Sequence, residues 1–167
     1  MTRMVNKPRV IGTKQESKLR DVMNDYAGEK VCERVVQHGS HDHGDLRILV
    51  DDLVLTGESK HKKTYPSEGL LEDFKKQTVK ENENARQDGG VLFVNLPNKA
   101  IQRAECWMQR RTYLLLLGTD NIIKRFESEH DRKLLTRLLE ERGQEWVRLT
   151  LLDFMRLCWG NPAWGRK

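Results

Sequence analysis

The chain has 167 residues, with 30 Lys+Arg against 25 Asp+Glu for a formal net charge of +5, and 37% apolar residues. That length suits one domain around a single core and excludes a second full one; the basic balance favours a polyanionic partner, although solvated faces account for it equally well. The longest apolar run, Tyr113 to Leu117, is too short to span a bilayer, and Met1 to Pro8 contains no apolar stretch of the kind that opens a secretory signal.

A soluble, unsecreted protein of the cytoplasm is therefore expected, with no membrane partner. Cys32, Cys106 and Cys158 form no CxxC pair and are odd in number, which argues for reduced thiols and against a structural zinc site.

In chain order, residues 1–11 are basic and contain Pro8, and read as a loose arm. Thr13 to Glu16 fits a capping box, which predicts a helix from Thr13 to about Tyr26 with Gly28 stopping it. Val31 to Gln37 follows as a strand, then a loop rich in His and Gly from His38 to Gly44. Asp51-Asp52 is flanked by two apolar runs, Asp45 to Val50 and Leu53 to Lys60, a hairpin pattern. A helix is expected over about Gly69 to Ala85, with Leu70, Leu71, Phe74, Thr78 and Ala85 on one stripe. Val91 to Val94 then reads as a strand buried on both faces, reached by a parallel crossover. Glu105 to Met108 and Arg111 to Leu117 are predicted strands, and from Thr119 the pattern turns helical. It shows a stripe of Leu134, Leu135, Leu138 and Leu139 and a last helix over roughly Glu145 to Cys158.

The hairpin makes a testable geometric statement. With two residues in the turn, Val50 faces Leu53, Leu49 faces Val54, and the count ends with Asp45 opposite Glu58. Leu46, Ile48, Val50, Leu53, Leu55 and Gly57 then share a core face, and Glu58 and Lys60 share the other with Asp45. Two carboxylates facing each other across strands are destabilising unless something positive sits between them. Mg²⁺ takes hard oxygen ligands and commonly needs only one or two carboxylates besides phosphate, and Lys60 is placed to stabilise charge on an attacked phosphate. The tripeptide alone carries little weight, because acid-x-Lys recurs at Glu16-Ser17-Lys18, Asp73-Phe74-Lys75 and Asp131-Arg132-Lys133. Only Glu58-Ser59-Lys60 ends an apolar strand with an aligned Asp on its partner.

From about Gly12 to Leu117 these residues resemble the PD-(D/E)xK nucleases, in particular the Holliday junction resolvase-like proteins of phages and archaea. In that family an early helix contributes a Glu, the start of the second strand an Asp, and the end of the third strand an E-x-K tripeptide. Here these look like Glu16, Asp45, Glu58 and Lys60, with Gln77 similar to a Gln that adjoins the site from the following helix. Asp42-His43-Gly44-Asp45 is similar to the D-x-G-D of phage members. The Pro that names the motif is missing, and Thr56-Gly57 stands where an apolar pair is usual.

The resemblance implies an α/β restriction-endonuclease-like core, a mixed central sheet flanked by helices, over residues 12–126, with a helical C-terminal extension over 127–167. It further implies a Mg²⁺- or Mn²⁺-dependent endonuclease acting in DNA recombination, in a bacterial or phage-infected cell. The metal ligands would be Asp45, Glu58 and Glu16, the substrate branched DNA, and the assembly a homodimer. A less selective endonuclease or exonuclease on the same core, or a non-catalytic DNA-binding module, are the alternatives.

Several residues carry a second reading. Glu16 satisfies a backbone N–H if the capping box forms. Asp42 could replace Asp45 as ligand, or shape an Asx turn before Gly44. Gln77 borders the apolar stripe. His38, His41 and His43 invite zinc but lack a second ligand pair at finger spacing, so His43 is read as a DNA neighbour. Lys62 and Lys63 are read as phosphate contacts, against a solvated loop. Trp107, Trp146, Trp159 and Trp164 are read as core or interface residues. The C-terminal helices are expected to pack on the sheet or to pair protomers.

Overall fold

The computed structural model describes residues 7–36, 43–118 and 128–165. Gln37, His38, His41 and Asp42 therefore lie outside the described residues, as do residues 1–6 of the expected arm, the segment from Thr119 to Glu127 and the last two residues. The side chains of Leu134, Leu135, Leu138 and Leu139 are likewise outside them.

The protein is α/β, with a six-stranded mixed sheet flanked by helices. The elements run α1 (Lys7–Ala27), β1 (Cys32–Arg34), β2 (Leu46–Val50), β3 (Leu53–His61), α2 (Glu68–Ala85), β4 (Gly89–Asn95), a 3₁₀ turn (Ile101–Arg103), β5 (Glu105–Gln109) and α3 (Arg110–Leu116). They continue with α4 (Glu129–Arg142), β6 (Trp146–Thr150), α5 (Leu151–Trp159) and a 3₁₀ turn (Ala163–Gly165). The strands lie side by side in chain order. Only β3 and β4 are parallel, paired from Leu55↔Gly89 to His61↔Asn95, because α2 carries the chain back across the sheet between them.

The hairpin register is the one counted from the sequence, Val50↔Leu53 to Leu46↔Gly57. Its turn is made possible by Asp51, which takes φ 50°, a left-handed conformation that Asp tolerates better than most residues. The core face holds Leu46, Ile48 and Leu55, all fully buried, packed with Leu19, Met23 and Tyr26 of α1 and with Leu151, Phe154 and Met155 of α5. On the opposite face Leu71 and Phe74 of α2 cover Leu92 and Val94. Val91 to Val94 are buried throughout, as a central strand covered on both sides requires. Ser67 starts α2 by accepting a hydrogen bond from the Leu70 N–H at 3.2 Å, and Arg86 ends it at φ 53°.

Four expectations are corrected. Helix α1 begins at Lys7, so residues 7–11 are helical rather than an arm and Thr13 is interior rather than an N-cap. Pro8 is the start signal, since its missing N–H and fixed φ cost nothing in a first helical turn. The strand expected to begin at Val31 is confined to Cys32–Arg34, the three residues that pair with β2. The strand expected over Arg111 to Leu117 is instead helix α3, which ends at Leu116: a short continuous apolar run has no period, Leu is a strong helix former, and Gly118 at φ 75° closes the turn through its N–H to Leu115 O at 3.0 Å.

The last correction concerns the C-terminal segment, which is not a purely helical extension. Trp146 to Thr150 forms β6 on the open edge of β5, and tertiary pairing there overrides local helical preference. Thr150 then caps α5 by accepting from the Asp153 N–H at 3.1 Å. Cys32, Cys106 and Cys158 are buried free thiols, each pushed up in pKa by burial and so unreactive. Among the described residues no helix is long and apolar enough to cross a membrane.

Candidate active site

The approach to the site is set by Gly44 at φ 85°. A Cβ there would stand 2.5 Å from Thr56 Cγ2 and 3.2 Å from the Gly57 carbonyl oxygen, so glycine alone lets the chain enter β2 this close to β3. The Asp45 N–H then donates to Gly57 O at 2.9 Å. One step past the last ladder pair, Asp45 stands against Glu58, and its Oδ2 accepts from the Ser59 N–H at 2.9 Å. Gly57 also explains the unusual pair before Glu58: a Cβ at that position would lie 3.0 Å from both Leu46 Cβ and Phe93 Cε2.

Glu58 is 3% exposed although it is a carboxylate. Its Oε1 meets Lys60 Nζ at 3.1 Å and the Gln77 side-chain amide at 3.4 Å. Its Oε2 is buried from solvent, and a carboxyl–carboxyl hydrogen bond joins Glu58 to Glu81. Gln77 donates from the same nitrogen to Glu81 Oε1 at 2.7 Å, and Glu81, 1% exposed, lies against Glu58 from α2.

Burial, followed by the Glu81 carboxyl group, raises Glu58 to about 9, with Lys60 pulling the other way. The ion pair with Lys60 favours the charged form, yet burial and the second carboxyl outweigh it, because Lys60 keeps part of its hydration while Glu58 has almost none. Asp45 is raised to about 7 by burial and then by Glu58, against the lowering effect of the Ser59 N–H; Glu16 raises it further and Lys60 lowers it.

The remaining expected residues are placed unevenly. Glu16 is close enough for Asp45 to feel its charge, but its carboxylate bonds Arg34 Nε at 3.2 Å instead of joining Asp45 and Glu58. Among the described residues no three Asp, Glu, His or Cys side chains converge as a ready metal cage. Lys62 is exposed and leans over the Phe74 ring, which also carries Lys60; Lys63 is exposed beside it. His43 is separate from them, in a groove with Val35, Thr56 and Gln87.

Sequence reasoning missed Glu81. The signal was present, since position 81 falls on the helical stripe of Phe74, Thr78 and Ala85, where a carboxylate has no reason to be unless it is used or paired.

The donor set fits a hard divalent cation. Asp45 and Glu58 offer carboxylate oxygens only, and both carboxyls are raised by burial, Asp45 further by Glu58 and Glu58 further by Glu81, a crowding of acids that a cation would relieve. Comparison with protein-family models, with curated proteins and with solved structures finds no match to this chain.

Proposed function

We propose that the protein is a metal-dependent DNA endonuclease of the PD-(D/E)xK type, acting on branched DNA such as a Holliday junction. The observation that carries this reading is a carboxylate buried at the end of β3, opposite Asp45 and 3.1 Å from the ammonium of Lys60. A solvated strand end does not explain a carboxyl this buried, pressed between Lys60 and a second buried carboxyl, Glu81. The fold supports it as well: helix α1, three antiparallel strands, helix α2 and a parallel β4 are compatible with a restriction-endonuclease-like core. Asp45 immediately before β2, the Glu58-Ser59-Lys60 tripeptide on β3 and Gln77 on α2 are compatible with the way that family presents its site.

On this reading Asp45 and Glu58 hold Mg²⁺ or Mn²⁺, with Glu16 at the margin and engaged with Arg34. A divalent cation supplies Lewis acidity, polarising the scissile phosphate and acidifying a water. The chain does the rest. Lys60 donates to a phosphate oxygen as negative charge builds on it. Gln77 orients the Glu58 carboxylate and ties it to Glu81. Lys62 and Lys63, exposed just past the end of the same strand, contact the DNA backbone and hold it in register. A homodimer presenting two such sites accounts for paired cuts at a junction.

Incubation of the protein with Mg²⁺ and a synthetic four-way junction tests this reading. Wild type cuts the junction in preference to linear duplex, while Glu58→Ala and Lys60→Ala bind it without cutting. A junction that is bound yet left intact by wild type across metal titrations identifies a non-catalytic DNA-binding module instead. Equal cutting of junction and linear duplex removes the substrate preference and leaves the nuclease.

A further inference from the structure

Side chains alternate along β3, so Ser59 and His61 point to the face opposite Glu58 and Lys60. His61 pairs with Asn95 as the last step of the parallel β3–β4 ladder. Beyond it the chain turns through Pro97 and Asn98, the latter at φ 61°, into the 3₁₀ turn at Ile101–Arg103. Gln15 and Lys18 of α1 close the other side, and the space enclosed is a cavity of about 180 Å³. That is below the roughly 300–1,000 Å³ of sites for drug-sized molecules, and suits a small polar group.

The lining has one sign of charge. Lys18, Lys99 and Arg103 reach it, and among the described residues no Asp or Glu does. Two polar atoms on its wall, His61 Nδ1 and Asn95 Oδ1, are buried without a hydrogen-bond partner, and Asn95 as a residue is only 3% exposed. The Asn95 amide already donates from Nδ2 to Ser59, while an imidazole presents an N–H from either nitrogen. His61 is therefore the neutral group of the lining with a donor to spare. Cations without counter-charges, together with an imidazole that has an unpartnered nitrogen, are the donor set of an oxyanion site.

Ser59 joins this cavity to the carboxylates. Its N–H donates to Asp45 Oδ2 at 2.9 Å, and its hydroxyl oxygen accepts from Asn95 Nδ2 at 3.3 Å. The cavity and the acidic site thus lie on two sides of one residue of one strand.

We propose that the cavity is a phosphate-binding subsite, which takes a DNA phosphate neighbouring the one at Asp45 and Glu58 and so sets where along the strand the cut falls. The identity of the polymer rests on the nuclease reading, whereas the phosphate chemistry rests on the cavity. The group bound is either an internal phosphodiester or a terminal 5′-phosphate.

Inorganic phosphate titrated into ¹⁵N-labelled protein is expected to shift the Asn95 side-chain amide and the backbone amides from Asn98 to Arg103. These shifts disappear in Lys99→Ala/Arg103→Ala, a pair of exposed side chains, with circular dichroism unchanged. Fluorescence anisotropy in EDTA then compares duplexes ending in 5′-phosphate and 5′-hydroxyl. Losing the one phosphate contact that this pair makes renders the salt dependence of log K shallower by about one. A loss confined to the 5′-phosphate duplex identifies the terminal group; an equal loss on both identifies an internal phosphate. Absence of shifts at these amides, or wild-type affinity and salt slope in the double variant, overturns the subsite. Every readout is binding without metal, so a junction that stays uncut refutes the nuclease and leaves this result standing.

Discussion

Replacing Glu58 by Gln keeps the side-chain shape and removes the charge that burial and Glu81 oppose. The folded-state value of about 9 lies far above the ordinary 4.5 of Glu, so between those limits the folded protein holds a proton that the unfolded chain has released. Stability is then fully present on the acid side of the window and falls as pH rises through it, by about 1.4 kcal/mol per pH unit for one such group. Asp45, raised from 3.8 to about 7, adds a decline of the same sign over its own window. From about pH 5 to about pH 8 the Glu58 contribution alone amounts to roughly 4 kcal/mol.

Over this window the folded-state Glu58 is protonated, so Glu58→Gln gives up no ion pair with Lys60; it exchanges the O–H shared with Glu81 for an amide N–H, an offset of about 1 kcal/mol or less. The variant is therefore expected to be more stable than wild type by roughly 2 to 4 kcal/mol near pH 8 and by almost nothing near pH 5. For a domain of this size that corresponds to about 5 to 15 °C in Tm at the higher pH. Urea denaturation across the range measures both proteins. Added Mg²⁺ should restore the wild type at high pH, by about 2.7 kcal/mol at a hundredfold excess over its Kd, and leave the variant unmoved. A wild-type stability that is flat or rising from about pH 5 to about pH 8, or a variant that is weaker at the upper end, refutes the account of the buried carboxylates.

Two other substitutions and a truncation probe the supports of the site and of the sheet. Gly44→Ala puts a Cβ into Thr56 Cγ2 at 2.5 Å from a backbone at φ 85°; a loss of roughly 2 kcal/mol or more is expected, together with loss of the Mg²⁺-induced rise in Tm, and an unchanged melt with and without metal refutes it. Lys75 is buried with its ammonium 4.5 Å from the centroid of the Trp107 ring, so Lys75→Met, which keeps the stem, should cost about 1 kcal/mol in urea denaturation, and a neutral result means the stem alone matters. A chain ending at Arg142 lacks β6 and α5, and with them buried Leu151, Phe154 and Met155. At roughly 1.5–3 kcal/mol for each side chain this approaches the whole stability of a domain. The truncated chain should therefore be unfolded by circular dichroism, and a cooperative melt would show that the last strand and helix are dispensable.

The reach of the sequence follows the distance over which each feature is determined. Asp45, Glu58 and Lys60 lie within one hairpin, whose buried face permits one register: a slip by one residue would send Leu46, Ile48 and Leu55 to the wrong side of the sheet. The relation between the carboxylates was therefore countable, and so was α2, whose stripe runs unbroken from Leu71 to Ala85. Strand β6 was not, because Trp146 to Thr150 is extended only by pairing with β5, nearly forty residues earlier in the chain. Glu81 was missed for a related reason. Its stripe was traced through apolar members, and the fact that it faces Glu58 depends on how the crossover lays α2 on β3. Glu16 shows the reverse error. The capping box gave it a local duty, but helix α1 starts about two turns earlier at Lys7, which frees its carboxylate from any N-terminal N–H and leaves it with Arg34. A carboxylate so held can reach Asp45 only by releasing that arginine, so Glu16 enters the site at an energetic cost that Asp45 and Glu58, already facing each other, do not bear.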